Sequence, residues 1–324
     1  MNGILAIVWS PFQLMCLNAA LSRLGRSDCD LIVLKDELSD RTNQIEMMAN
    51  KYGYPYQLLG KKGIAQGVGL LLRNFLLSLF PSRRKQYDYM FVGDYRFISI
   101  IGSFFHVLKR NARVCFLEDG NISIKILSEG LHDAYISKYS KTLRFLCGFR
   151  SIKVREYYTI YSDIKNDEFC LVDITPYLGD KSGRQLSGVY FIGTNTKVYC
   201  EVNKINLEFF FEKLRNVLTD LRRRYDHVFF IPHGREVLPE VHRICEECGV
   251  EYKPLDVCFE YYCMQHSIVP EVLNGFSSST LMSVRCYSDE TEIYNCVNEN
   301  VLNNGTYKLI IDYYGKHGIH TCLF

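Results

Sequence analysis

The sequence predicts an α/β protein built from two Rossmann-like halves with parallel sheets, and three observations carry that expectation. The chain has 324 residues, roughly twice the ~150 of a typical domain. Apolar strand-like runs alternate with amphipathic helix-like segments, as they do where helical crossovers connect parallel strands. The alternation breaks once, across 173–188, where "DITPYLGDKSGRQLSG" concentrates Gly, Pro, Ser and charge, and then restarts. We therefore expect a first domain over 1–172, a linker over 173–188 and a second domain over 189–324, with the last helix a candidate to return to the first domain.

In the first half the strands are "ILAIVW" (4–9), "DLIVL" (30–34), "YMFVGD" (89–94) and "RVCFLE" (113–118). Between the first two lies "PFQLMCLNAALSRLG", whose apolar residues recur at helical spacing and which closes on Gly25. In the second half, strand "GVYFIG" (188–193) leads to a long helix over 206–225. Strand "HVFFIP" (227–232), helix "VLPEVHRICEECG", strand "VEYKP", helix "FEYYCMQ" and strand "IVPEVLNGF" follow.

Composition narrows the class. A hydrophobic share of 48% describes a globular chain. The formal net charge of +2 gives no argument for a nucleic-acid partner. No window reaches the ~18 uninterrupted apolar residues of a spanning helix; the most apolar stretch is broken by Arg73 and followed by Arg83, Arg84 and Lys85, a combination compatible with a peripheral membrane contact. The opening "MNGILAIVWSPFQ" lacks a basic segment and a small-residue cleavage site, so the expected location is cytoplasmic. Of the 13 cysteines, Cys16, Cys115, Cys147 and Cys170 sit in apolar runs and read as buried. Cys245, Cys248, Cys258 and Cys263 contain one C-x2-C but no second pair, so no metal site is expected there.

In open parallel sheets ligands bind beyond the carboxyl ends of the strands. The residues there are Ser10, Pro11 and Gln13, then Asp94, Tyr95 and Arg96, then Glu118, Asp119 and Gly120 in the first half. In the second they are Thr194, His233, Gly234, Arg235 and the hydroxyl run Ser277, Ser278, Ser279 and Thr280. Consecutive hydroxyls opening a helix suit a phosphate, though serines are also ordinary N-caps. A histidine after a buried strand, followed by Gly234 and Arg235, can bind a phosphate oxygen and donate a proton to a leaving group. Glu118 and Asp119 side by side predict like-charge repulsion that raises one carboxylate's pKa and makes it a better base.

The order of these motifs, "SPFQL", "LEDG", "IPHGRE" and "FSSSTL", resembles that of the bacterial GT-B sialyltransferases, in particular glycosyltransferase family 52 and the related polysialyltransferase group. The resemblance implies two Rossmann-like domains facing a central cleft, with the 173–188 linker as a hinge. It implies that Asp119 is the general base for the acceptor hydroxyl, with Glu118 supporting it. His233 and Ser277–Thr280 would hold the CMP phosphate, and Glu260, or alternatively Asp256, would take the ribose hydroxyls. Ser10, Pro11, Gln13, Asp94 and Arg96 would lie on the acceptor side, with Tyr95 able to stack on a sugar face. The family's His-Pro appears here as His233-Gly234.

The implied reaction is an inverting, metal-independent transfer of sialic acid from CMP-sialic acid, without a cofactor, to a lipooligosaccharide or capsule glycan. A galactose terminus is the expected acceptor; a homodimer is left open. Another CMP-activated nonulosonic acid, a UDP- or GDP-sugar, and a catalytically silent nucleotide-sugar-binding protein remain alternatives.

Overall fold

The computed structural model describes residues 3–35, 41–60, 86–93, 107–130, 154–179 and 184–323. Asp94, Tyr95, Arg96, Cys147 and the basic residues Arg83, Arg84 and Lys85 lie outside them. The chain divides into two compact units, with the break between Leu178 and Gly179.

The first unit holds strands β1 (Gly3–Val8), β2 (Asp30–Lys35), β3 (Tyr56–Gly60), β4 (Tyr87–Val92), β5 (Leu108–Leu117), β6 (Val154–Thr159) and β7 (Cys170–Asp173). They form one sheet in the order β3-β2-β1-β4-β5-β6-β7, and every pair is parallel. The interior strand β1 is apolar, because a parallel strand covered on both faces has no solvent side: Ile4 to Val8 are all buried. The helix Pro11–Arg23 covers it with Leu14, Leu17 and Leu21, each fully buried and each contributing about 1.5–3 kcal/mol through removal from water.

The second unit holds β8 (Gln185–Leu186), β9 (Val189–Ile192), β10 (Val228–Ile231), β11 (Glu251–Tyr252), β12 (Ile268–Val269), β13 (Val272–Gly275), β14 (Glu292–Val297) and β15 (His320–Leu323). Its main sheet runs β11-β10-β9-β13-β14-β15, while β12 pairs with β8 separately. These pairs are parallel too. One face of the core is aromatic: Phe191 and Phe230 stack with ring centroids 5.6 Å apart, and Phe276 meets Phe191 edge-on at 5.0 Å. The helix Leu207–Arg224 is N-capped by Asn206 and ends on Arg222, Arg223 and Arg224, whose charge complements the helix dipole.

The structure departs from the sequence reading in several places, and β3, β6, β7, β8, β14 and β15 are strands that the reading did not name. "IVPEVLNGF" is two strands, β12 and β13, because Pro270 between them has no N–H to give a ladder. The stretch 173–188, within which the break between the two units falls, contains the end of β7, a 3-10 turn at Thr175–Tyr177 and β8. The last helix, Gly305–Lys316, stays with the second unit and leads into β15 of that unit's sheet. Cys170 is exposed, since it opens the edge strand β7, whereas Cys16 and Cys115 are buried. No helix among the described residues is long and apolar enough to cross a membrane.

Candidate active site

Each main sheet has a point where the strand order reverses, between β1 and β4 in the first unit and between β9 and β13 in the second. Crevices at such points are where open parallel sheets bind ligands.

In the first unit that point is organised by Gln13. Ser10 N-caps the helix Pro11–Arg23, its hydroxyl accepting from the Gln13 N–H at 3.1 Å. Pro11 occupies the first turn, where its fixed φ suits the helix and its missing N–H costs nothing. Gln13 is thereby fixed with its side chain fully buried. Its Oε1 accepts from the Trp9 N–H at 2.7 Å. Its Nε2 donates to the Gly93 carbonyl at 3.0 Å and to Asp119 Oδ1. One amide thus ties together the ends of β1, β4 and β5. Gly93 is required for this: a Cβ there would lie 2.2 Å from Gln13 Oε1.

The two acids separate. Asp119 is half-buried at the end of β5, and its N–H donates to Ser123 Oγ at 3.1 Å. Gly120, at φ 78° and ψ −148°, turns the chain into the helix Asn121–Glu129, a backbone conformation essentially reserved for glycine. Glu118 is completely buried. Thr159 Oγ1 donates to Glu118 Oε2, while Oε1 has no partner within hydrogen-bonding distance among the described residues. Burial pushes the Glu118 carboxyl up to about 8. Ser123, Thr159 and the Gly120 N–H favour its charged form but do not offset the desolvation, and repulsion from Asp119 is a lesser contribution. The expected mechanism is therefore reversed: the raised carboxyl is Glu118, and burial raises it. Burial thus favours the neutral form of Glu118, which lessens the negative charge beside Asp119.

In the second unit, Asn195 N-caps the helix Thr196–Asn203 just after β9, with Thr194 half-buried ahead of it. The loop after β10 is a tight turn closed by the Glu236 N–H on the His233 carbonyl at 2.7 Å. The Arg235 N–H donates to His233 Nδ1 at 3.1 Å, so the neutral ring carries its proton on Nε2. Glu236 locks the turn. Its Oε2 accepts from Thr196 Oγ1 at 2.6 Å and Thr196 N–H at 3.2 Å, and its Oε1 accepts from the Val237 and Leu238 N–H groups at 2.9 and 3.0 Å. These contacts stand where a proline after His233 would have stiffened the loop.

The hydroxyl run follows β13. Ser278 N-caps the helix Ser279–Tyr287, accepting from the Thr280 N–H at 3.3 Å. The Ser278 carbonyl accepts from Tyr314 Oη at 2.7 Å. Ser278 and Ser279 are half-buried, but Ser277 and Thr280 turn inward. Ser277 bonds Asn295, its N–H donating to Oδ1 at 2.7 Å; Thr280, with Ser283, faces Glu260. Glu260 is 3% exposed and its carboxyl is raised by burial despite those hydroxyls. Asp256, in the bend before the helix Phe259–His266, is the exposed acid of the pair.

Several assignments change accordingly. Ser10 and Pro11 start a helix, and Gln13, expected on the acceptor side, is fully buried and holds Asp119 from within the core. Ser277 and Thr280 face the interior, leaving Ser278 and Ser279 as the outward hydroxyls of the run. Thr159, Ser123 and Asn295 were not singled out from the sequence, and Asn295 is a lone amide in the strand "EIYNCV"; Glu236 stood at a strand end in "IPHGRE" without a role assigned to it. Among the described residues no cluster of three or more His, Cys, Asp or Glu is arranged to hold a metal ion.

No protein-family model matches the sequence, and no curated protein does. The structure superposes on the crystal structure of MurG from Acinetobacter baumannii over 99% of this chain and 86% of that one, with a TM-score of 0.50 at 10% identity. The fold is GT-B. A glycosyltransferase from Rickettsia africae ESF-5 matches less well, with a TM-score of 0.43 at 10% identity over 97% of this chain and 88% of that one. At such identities the GT-B likeness concerns the fold alone, and the resemblance to sialyltransferases rests on the motifs.

Proposed function

We propose that this GT-B chain is an inverting glycosyltransferase that moves sialic acid from CMP-sialic acid to a hydroxyl of a bacterial surface glycan, lipooligosaccharide or capsule, with galactose at the acceptor terminus. The observation that carries the proposal is Asp119: a half-buried carboxylate at a strand end, held by a fully buried amide that also fixes two neighbouring strand ends. Such pre-fixed placement is what a general base requires.

In the proposed reaction the acceptor oxygen attacks the anomeric carbon as its proton passes to Asp119. The bond from that carbon to the phosphate oxygen breaks, and CMP leaves with the electron pair. His233, protonated on Nε2, and the helix start at Ser278–Ser279 stabilise the departing phosphate. These donors support a reaction without a divalent metal. Asp256, being exposed, is better placed than Glu260 for the ribose hydroxyls.

The test is a calorimetric titration of the full chain with CMP, UMP, UDP and GDP in EDTA. Selective CMP binding supports the proposal. Preference for a diphosphate would replace it with a UDP- or GDP-sugar transferase, and binding of none would contradict it.

A further inference from the structure

Three non-glycine residues among those described have positive φ: Lys204, Ser267 and Ser277. Lys204 and Ser267 are helix C-caps, where left-handed backbone is common. Ser277, at φ 47°, has no such excuse. It lies between β13 and the start of the helix Ser279–Tyr287, and a side chain in that region is strained. Strain of this kind persists only where the surroundings over-determine it, and it gathers at functional loops.

One side chain accepts both donors of Ser277. Asn295 is fully buried on β14, opposite Gly275 of β13. Its Oδ1 accepts from both donors of Ser277, the N–H at 2.7 Å and Oγ at 3.3 Å. The Ser277 N–H is thus turned into the sheet, and the chain swings so that Ser278 caps the helix. At the helix start that follows, the Thr280 N–H is taken by Ser278 Oγ and the Leu281 N–H by the Ser278 carbonyl, so what this end of the helix offers an anion is its dipole and the Ser278 and Ser279 hydroxyls.

We infer that Asn295 is a positioning residue for this loop: by accepting both donors of Ser277 it holds the left-handed turn that presents Ser278 and Ser279 to the nucleotide phosphate. The inference rests on the reading of this loop as the phosphate site. A glycine at position 277 adopts the same backbone without strain, so Ser277→Gly should relieve the need for Asn295. A merely structural asparagine gives no such rescue.

The experiment compares wild type, Asn295→Ala, Ser277→Gly and the double variant. CMP and cytidine are titrated into each, and thermal unfolding is followed without ligand. Asn295→Ala is expected to weaken CMP binding about tenfold and leave cytidine binding unchanged, with the double variant recovering to within about threefold of wild type. Unchanged CMP affinity in Asn295→Ala, equal loss of cytidine, or loss that Ser277→Gly does not rescue would overturn the inference. If wild type binds no CMP, the functional reading fails and the melting cycle decides this inference alone: Asn295→Ala must lower Tm less in the Ser277→Gly background, and equal losses overturn it. If Asn295→Ala alone does not fold, the double variant must; a double variant that also fails to fold overturns it as well.

Discussion

The two strand-end sites are built in opposite ways. In the first unit the carboxylate proposed as base is held by side chains: Gln13 grips Asp119, Ser123 accepts from its N–H, and Thr159 donates to the neighbouring Glu118. In the second unit the side chains shape the backbone: Glu236 locks the His233 turn, and Asn295 sets Ser277. The difference follows from the chemistry proposed for each. A base needs one oxygen in one place, which a buried amide provides. A phosphate is met by a dipole and hydroxyls together, which a helix start provides.

Breaking the first arrangement should have the largest effect. Gly93→Ala puts a Cβ where Gln13 Oε1 lies, 2.2 Å away. It should cut transfer about 10²-fold or more through displacement of Asp119, with nucleotide affinity unchanged in a parallel titration; a variant active as wild type would detach Gln13 from catalysis.

The buried acid gives a pH signature. The Glu118 carboxyl titrates near 8 in the folded chain against 4.5 ordinarily. The folded state therefore keeps a proton that the unfolded state gives up above that lower value. This contribution is fully present below about pH 4.5 and is lost as pH rises to about 8, where the curve levels. It amounts to several kcal/mol at about 1.4 kcal/mol per pKa unit. Urea unfolding across that range should show the decline in wild type and a flatter profile in Glu118→Gln. Parallel slopes would mean that Glu118 is not the group responsible.

The second arrangement should yield more gently. Ser278→Ala removes the cap on the Thr280 N–H, costing about 1 kcal/mol of stability and weakening nucleotide binding several-fold. Loss of transfer without loss of binding in this variant would reverse the division of labour between the units.

Much of this was legible in the sequence. Apolar runs that stop abruptly at acidic, glycine or hydroxyl residues marked the strand ends. The separation of Glu118 from Asp119 was also available, since consecutive residues of a strand point to opposite faces; like-charge reasoning obscured it. β15 was missed because most of its residues are exposed at a sheet edge, so it has no apolar run to announce it. Gln13 and Asn295 act through hydrogen bonds to residues 106 and 18 positions away. No local pattern encodes those partners: a polar residue in an apolar stretch was the sole sign of Asn295, while Gln13 stood at a strand end in "SPFQL" with a different role expected of it.

The central claim is that Asp119 serves chemistry and not nucleotide binding. The direct measurement is Asp119→Asn assayed for transfer from CMP-sialic acid and for CMP affinity under the same conditions. The account predicts transfer reduced about 10³-fold with CMP affinity within about twofold of wild type. Retained transfer, or affinity lost in step with transfer, would contradict it.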